Sequence, residues 1–275
     1  MQGFEATLRV QFEPLQYAAF LGALVLLGLL ETVITAKSEP ARRKRWPANF
    51  GLTAINVMVL GALPLGSLAA ADLAAARGWG LLNQVALPAW LAVIAAFLLR
   101  SLTSYGIHVA MHKVPLLWRL HRIHHTDTAM DVSTAVRFHP LEFVVSIPVV
   151  LAATVAFGFP PVAVMLYSLV DAAMAVFSHA NIRLPDRIDR GLRLLLMTPA
   201  IHRLHHSAAQ AETDSNYGAI LSCWDRLFGT YRARPEAELT ELRLGLAEYS
   251  EDNARSLRWL LALPFRSAGK DRAAT

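Results

Sequence analysis

The sequence predicts an all-α fold, a polytopic membrane helical bundle with a histidine-rich cap. Three observations predict it. Hydrophobic residues make up 55% of the chain and charged residues 17%, with a mean hydropathy of +0.38, well above the profile of a soluble domain. Uncharged apolar runs recur as far as Ser178, most of them near the length of about 20 residues that a helix needs to cross a bilayer. All ten histidines lie between His108 and His206, eight of them in three tight clusters.

The elements follow in order. Pro14 to Leu30 is the first span, at the short limit and ended by Glu31. It lacks a basic leader and a small-residue cleavage site, so it reads as an anchor rather than a removed signal peptide. Pro47 to Ala71 is the second span and Gly78 to Leu99 the third, ended by Arg100. The fourth run, Phe143 to Val170, continues past Asp171 to Ser178. Gly158-Phe159-Pro160-Pro161 sits in its middle, and Gly and Pro pairs mark turns. This run therefore reads as a helical hairpin, with arms short enough to dip into the bilayer rather than cross it. A basic helix from Pro185 to Met197 then leads to the last cluster. The segment Ser256 to Phe265, apolar with basic flanks, fits either the membrane surface or a core.

Positive charge is segregated. Lys37 and Arg42 to Arg45 follow the first span, Arg77 alone lies between the second and third, and fourteen Lys/Arg follow His179. The positive-inside rule then places the 37–46 loop, the histidines and the C-terminal tail on the cytoplasmic side, with the N-terminus outside. These basic patches read as topology signals that touch anionic headgroups. With no aromatic interleaving and with apolar spans, nucleic acid is excluded as a partner. A single cysteine, Cys223, excludes an intrachain disulfide framework and a cysteine metal site.

The clusters are His108-Val-Ala-Met-His112, His121-Arg-Ile-His124-His125 and His202-Arg-Leu-His205-His206, with His139 and His179 between them. Imidazole suits iron, zinc and copper, and helix positions i, i+3 and i+4 share a face. A single zinc takes three or four protein ligands, so ten rings are too many for one ion and enough for two. The cap is thus expected to hold two metals. If the third span continues past Arg100, His108 and His112 stand one turn apart just outside the bilayer, and Pro115 breaks that helix. Thr198 reads as the N-cap of the last cluster's helix, with Pro199 at its first position.

In this order and on this scaffold, HxxxH, HxxHH and HxxHH resemble the fatty acid hydroxylase / sterol desaturase superfamily of membrane di-iron oxygenases. Arg137-Phe138-His139-Pro140-Leu141-Glu142, Phe177-Ser178-His179-Ala180-Asn181, Thr198 to His206, Asn216-Tyr217-Gly218 and Trp224 to Tyr231 resemble segments of these proteins. The likeness covers about residues 90–231, which implies a catalytic domain there, N-terminal transmembrane helices over 1–89 and a cytoplasmic tail over 232–275. One departure stands out. Some fatty-acid hydroxylases of this superfamily carry an HxxxH pair before the third box, and here the position four before His179 is Ala175.

The resemblance implies two iron ions and O2, with all ten histidines as candidate ligands: His108, His112, His121, His124, His125, His139, His179, His202, His205 and His206. It implies hydroxylation or desaturation of a lipid C–H bond. The electrons come from a separate donor, ferredoxin- or cytochrome b5-like with its reductase, since no flavin, nicotinamide or haem-binding segment is visible. Glu142, Asp171 and Asp225 are expected to orient the rings, with a packing role for Asp171 equally open. Asp127 and Asp131 read as solvated loop charges. Tyr217 and Trp224 fit either a cavity or the membrane boundary. A zinc-dependent membrane hydrolase and a non-enzymatic metal-binding membrane protein are the alternatives. No box contains the glutamate of HExxH, and transport sites usually lie within the spans. The Ala-, Leu- and Arg-rich usage points to a bacterial inner membrane.

Overall fold

The computed structural model describes residues 2–38, 42–64 and 66–266. Its described residues form helices joined by loops, with isolated β-bridges in place of strands. The basic residues Lys270 and Arg272 of the tail, and positions 39–41 of the first basic loop, lie outside them.

Helix α1 (Gln2–Val33) runs the full height of the bundle. Near its start Leu8 packs with Val162 and Met165, and near its end Leu27 packs with Val132, Ala135 and Val176. Its last turn is tied to the cap, where Oε1 of Glu31 accepts the backbone N–H groups of Val132 and Asn181, each at 2.8 Å. At the other end Arg9 pairs with both carboxylate oxygens of Asp72, at 2.6 and 3.0 Å.

The second apolar run does not form one span. It gives α2 (Trp46–Gly61) and α3 (Ser67–Arg77), interrupted around Pro64 and Gly66. Pro64 has no N–H to donate, and Gly66 takes an extended conformation (φ −94°, ψ 163°) that starts the next helix. The third run is also displaced. A single turn, α4 (Leu81–Gln84), precedes α5 (Ala89–Lys113), which passes Arg100 and carries His108 and His112 on its final turns. Pro115 then opens α6 (Pro115–His125) in a new direction.

The hairpin forms as expected, from α7 (Pro140–Phe157) and α8 (Pro161–His179). Gly158 turns the chain with φ +65°, and a Cβ there would meet the Trp79 carbonyl oxygen at 2.7 Å. Its arms are 18 and 19 residues long, and with α1 and α5 they are long and apolar enough to cross a membrane. The arms hardly touch each other: α7 packs on α3, α5 and α2, while α8 packs on α1, α5 and α3. The space left between them and α5 becomes the cavity described below.

Beyond α8 the basic segment is helical only as α9 (Asp186–Leu192), then turns. The last cluster occupies α10 (Pro199–His205). Thr198 has the extended backbone of an N-cap, yet its side chain makes no capping bond. The helix Leu257–Ala262 is drawn into the core rather than laid on a membrane surface. Trp259, Leu260 and Leu263 pack on Ala48, Leu52, Ile123 and Tyr249.

Candidate metal centre

Four helix segments converge on one spot. α5 brings His108 and His112, α6 brings His121, His124 and His125, α8 ends on His179, and α10 with its C-cap brings His202, His205 and His206. The rings sort into two groups, His108, His112, His121, His125 and His205 in one and His124, His179, His202 and His206 in the other. Within each group one nitrogen from every ring lies within 4.8 Å of those of the others. The helical repeat explains the sorting. On α6 the i, i+4 pair His121 and His125 joins the first group and His124 the second. On α10 the pair His202 and His206 joins the second and His205 the first. Each HxxHH triplet thus serves both groups.

The outward edges of the rings are held by groups that can only accept. Nδ1–H of His108 is donated to the Tyr217 carbonyl (2.7 Å), of His205 to the Ser215 carbonyl (2.7 Å), and of His179 to the Ala175 carbonyl (2.6 Å). His124 Nδ1 donates to the Arg137 carbonyl at 3.3 Å and His121 Nδ1 to Oε1 of Glu142 at 2.9 Å. A neutral imidazole carries one proton, so these rings turn a bare Nε2 inward. There the Nε2 atoms face each other, His108 and His121 at 3.1 Å, His124 and His179 at 3.0 Å, His179 and His202 at 2.9 Å. Opposed lone pairs at that range repel unless a cation sits between them. Nε2 of His112, His205 and His206 is buried with no hydrogen-bond partner. The donor set therefore fits two metal ions with imidazole preference.

Electrostatics favour the ligand form. Burial first, then the neighbouring rings, push His124, His125, His202 and His206 well below the usual imidazole range, and burial takes His205 down to about 3. These rings are neutral at physiological pH, as metal ligation requires.

The loop after α10 supplies two of the carbonyl acceptors. Asn216 adopts φ +52°, a left-handed conformation that asparagine tolerates. Its side-chain amide donates to the Ile201 and Arg232 carbonyls at 2.9 Å. Asp225 is buried and accepts from the N–H groups of Tyr217 (2.7 Å) and Gly218 (2.9 Å) and from Thr230 (2.7 Å). Desolvation raises its carboxyl above the usual range despite these bonds. Asp225 thus acts on His108 through the backbone, while Glu142 bonds a ring directly. Asp171 touches no ring and lines the cavity instead. Asp214, absent from the sequence expectations, places Oδ1 3.5 Å from Nδ1 of His112 and pairs with Lys113 at 2.9 Å. Tyr217 is fully buried against His108, His112 and His205, and Trp224 donates to Ser101 at 3.1 Å.

Two expectations are corrected. His139 is not brought to either group. It caps α7, its Nδ1 accepting from the Leu141 N–H at 3.2 Å and its Nε2 donating to the Leu261 carbonyl at 3.3 Å. Asp127 and Asp131 are not solvated, being 1% and 0% exposed. Arg45 of the basic loop, itself buried, pairs with both, with Asp131 at 2.8 Å. Trp46 also donates to Asp131 and Thr134 to Asp127. Burial alone would raise Asp127, but Arg45 and Arg137 hold it below the usual carboxylate range. Arg137 donates in turn to the Ile123 and Ala254 carbonyls at 2.9 Å, which fixes the floor under α6.

Beneath the rings lies a cavity of about 290 Å³ bounded by α5, α7 and α8. His108, His121, His124, His179 and His202 line one end, and Ile107, Met111, Phe143 and Val150 its walls.

A family model described as fatty acid hydroxylase matches residues 93–230. The chain is 28% identical over 178 residues to an ornithine lipid hydroxylase of Rhizobium tropici, covering 65% of this chain and 51% of that protein. It is 29% identical over 144 residues to the alkylglycerol monooxygenase of Homo sapiens, covering 52% and 31%. It is 30% identical over 142 residues to a cholesterol 25-hydroxylase-like protein of Danio rerio, covering 50% and 53%. The chain thus spans about half of the first of these relatives and about a third of the second. No solved structure matches it significantly.

Proposed function

The chain belongs to the fatty acid hydroxylase family, and from that premise we propose that it is a membrane-bound di-iron oxygenase that hydroxylates a lipid C–H bond. The observation that carries the proposal is the set of nine imidazoles in two groups, opening onto a cavity between membrane-length helices. His108, His112, His121, His125 and His205 would hold one iron and His124, His179, His202 and His206 the other. When bound, the iron pair would supply the redox chemistry that O2 needs to attack an unactivated C–H bond. One oxygen atom enters the lipid as hydroxyl, and the other leaves as water at the expense of two electrons and two protons. A separate ferredoxin- or cytochrome b5-like donor with its reductase supplies the electrons. Hydroxylation rather than desaturation is favoured because the relatives are named hydroxylases and monooxygenases.

The residues of the chain do the rest. Glu142 and the carbonyls of Arg137, Ala175, Ser215 and Tyr217 keep protons on the outer nitrogens, so the inner ones stay available. Ile107, Phe143 and Val150 give the acyl chain an apolar wall that excludes water. Residues 90–231 are the proposed catalytic unit, with 1–89 as membrane helices and 232–275 as a cytoplasmic tail. We place the site on the cytoplasmic face of a bacterial inner membrane, on the strength of the basic residues around it.

The test is elemental analysis of detergent-purified protein after anaerobic iron loading, followed by lipid turnover under O2. About two irons per chain and O2-dependent hydroxyl-lipid formation are expected. A single zinc that iron does not replace would overturn the reading in favour of a hydrolase.

A further inference from the structure

The cavity under the histidines is not apolar throughout. α5 and α8 both run toward the cap, and each carries an ionisable residue eight positions before its histidine, Arg100 before His108 and Asp171 before His179. Eight helical residues rise about 12 Å, so Arg100 and Asp171 lie at one depth, at the end of the cavity away from the rings. Both line it. The Arg100 guanidinium bonds the Ser104 hydroxyl and lies over the Tyr167 ring, 4.7 Å from its centroid. Among the described residues no hydrogen bond and no ion pair within 4.0 Å reaches the Asp171 carboxylate, which faces the cavity. Two opposite charges thus face one cavity at membrane depth without closing on each other. Ionisable groups there are costly and are functional by default.

The donor and acceptor inventory narrows what they could bind. A guanidinium only donates and a carboxylate only accepts. A carboxylate or phosphate on the ligand would suit Arg100 and be repelled by Asp171, and an ammonium group would meet the reverse. Plain hydrocarbon would satisfy neither. A neutral group with both a donor and an acceptor, a hydroxyl above all, accepts from Arg100 and donates to Asp171 at once. Building on the oxygenase reading of the metal end, we propose that Arg100 and Asp171 form a second recognition point for a hydroxyl or similar neutral group on the lipid. Its two residues stand about 12 Å of helix rise below His108 and His179, so it sets both the substrate class and the position oxidised.

The test is equilibrium binding of hexadecanol, hexadecane, hexadecanoate and hexadecylamine to the protein in nanodiscs, with iron content measured alongside. The unaltered protein is expected to prefer the alcohol over the other three by about tenfold or more, the effect of one charge-assisted hydrogen bond. Asp171→Leu should shift the preference to the acid, and Arg100→Leu should shift it to the amine. Asp171→Asn and Arg100→Gln keep side-chain size and should show the same shifts in weaker form if either leucine variant fails to fold. One order of preference in all proteins, or an unaltered protein that prefers the acid, would overturn the proposal. Loss of iron binding with these shifts intact would instead count against the oxygenase reading alone.

Discussion

Nδ1 of His121 donates to Oε1 of Glu142 across 2.9 Å, joining the last turns of α6 to the first turn of α7. The carboxylate also sits near the N-terminus of α7, where the helix dipole favours negative charge. Removing such an orienting group costs about 10- to 100-fold in metal affinity or activity. Glu142→Ala should lose iron to a chelator within that range of lower concentration. Glu142→Gln keeps an oxygen acceptor and should hold iron more tightly than the alanine variant. Equal iron retention by Glu142→Ala and the unaltered protein would refute the role.

His139 and His205 should behave in opposite ways. His205→Ala removes a ring of the five-histidine group and should abolish stoichiometric iron. His139→Ala should bind iron in full and lose only stability, since its Nδ1 caps α7 and a lost N-cap costs about 0.5–2 kcal/mol. Metal analysis and thermal unfolding of the two variants side by side check both statements.

Arg45 compensates two buried carboxylates. Breaking a buried pair by removing one partner costs about 3–5 kcal/mol. Arg45→Met should therefore unfold at clearly lower temperature than the unaltered protein. Combining it with Asp127→Asn and Asp131→Asn should recover part of the loss. An unchanged midpoint in the single variant would contradict the ion-pair account.

Metal-free protein should be acid-sensitive. His124, His125, His202, His205 and His206 have folded-state pKa values pushed below the unfolded value by burial and by one another. Between the two values the unfolded chain binds more protons, so stability rises with pH. This contribution is fully present above about pH 6.5, the unfolded imidazole value. It is lost as pH falls below that, by up to about 1.4 kcal/mol per ring per pH unit. Unfolding midpoints from pH 8 to 5 check it, and a flat profile would rule it out.

The cap was legible because its signal is local. The i, i+3, i+4 spacing of each HxxHH is a property of one helix, and it put the three rings on a shared face, while the division of each triplet between two groups appears only in the fold. The turn at Gly158-Phe159-Pro160 was legible for the same reason. The partners of the rings were not, because backbone carbonyls such as those of Ser215 and Tyr217 carry no side-chain signature. His139 looked like a ligand because an imidazole that caps a helix is the same imidazole. Asp127 and Asp131 looked solvated because their partner, Arg45, lies about eighty positions away in sequence. The break near Pro64 was hidden because hydropathy adds up composition and ignores one missing N–H donor.

The two arms of the hairpin pack on α3 and α5 rather than on each other, with α2 added beside α7 and α1 beside α8. Where helices stand apart at membrane depth, the space between them would open onto the oily phase around it. A lipid could then arrive and leave by sliding sideways, never passing through water. The quantity that saturates such a protein is the fraction of its substrate among the surrounding lipids, not the amount per volume of solution. Diluting the vesicles should leave turnover unchanged, while diluting the substrate within them should slow it.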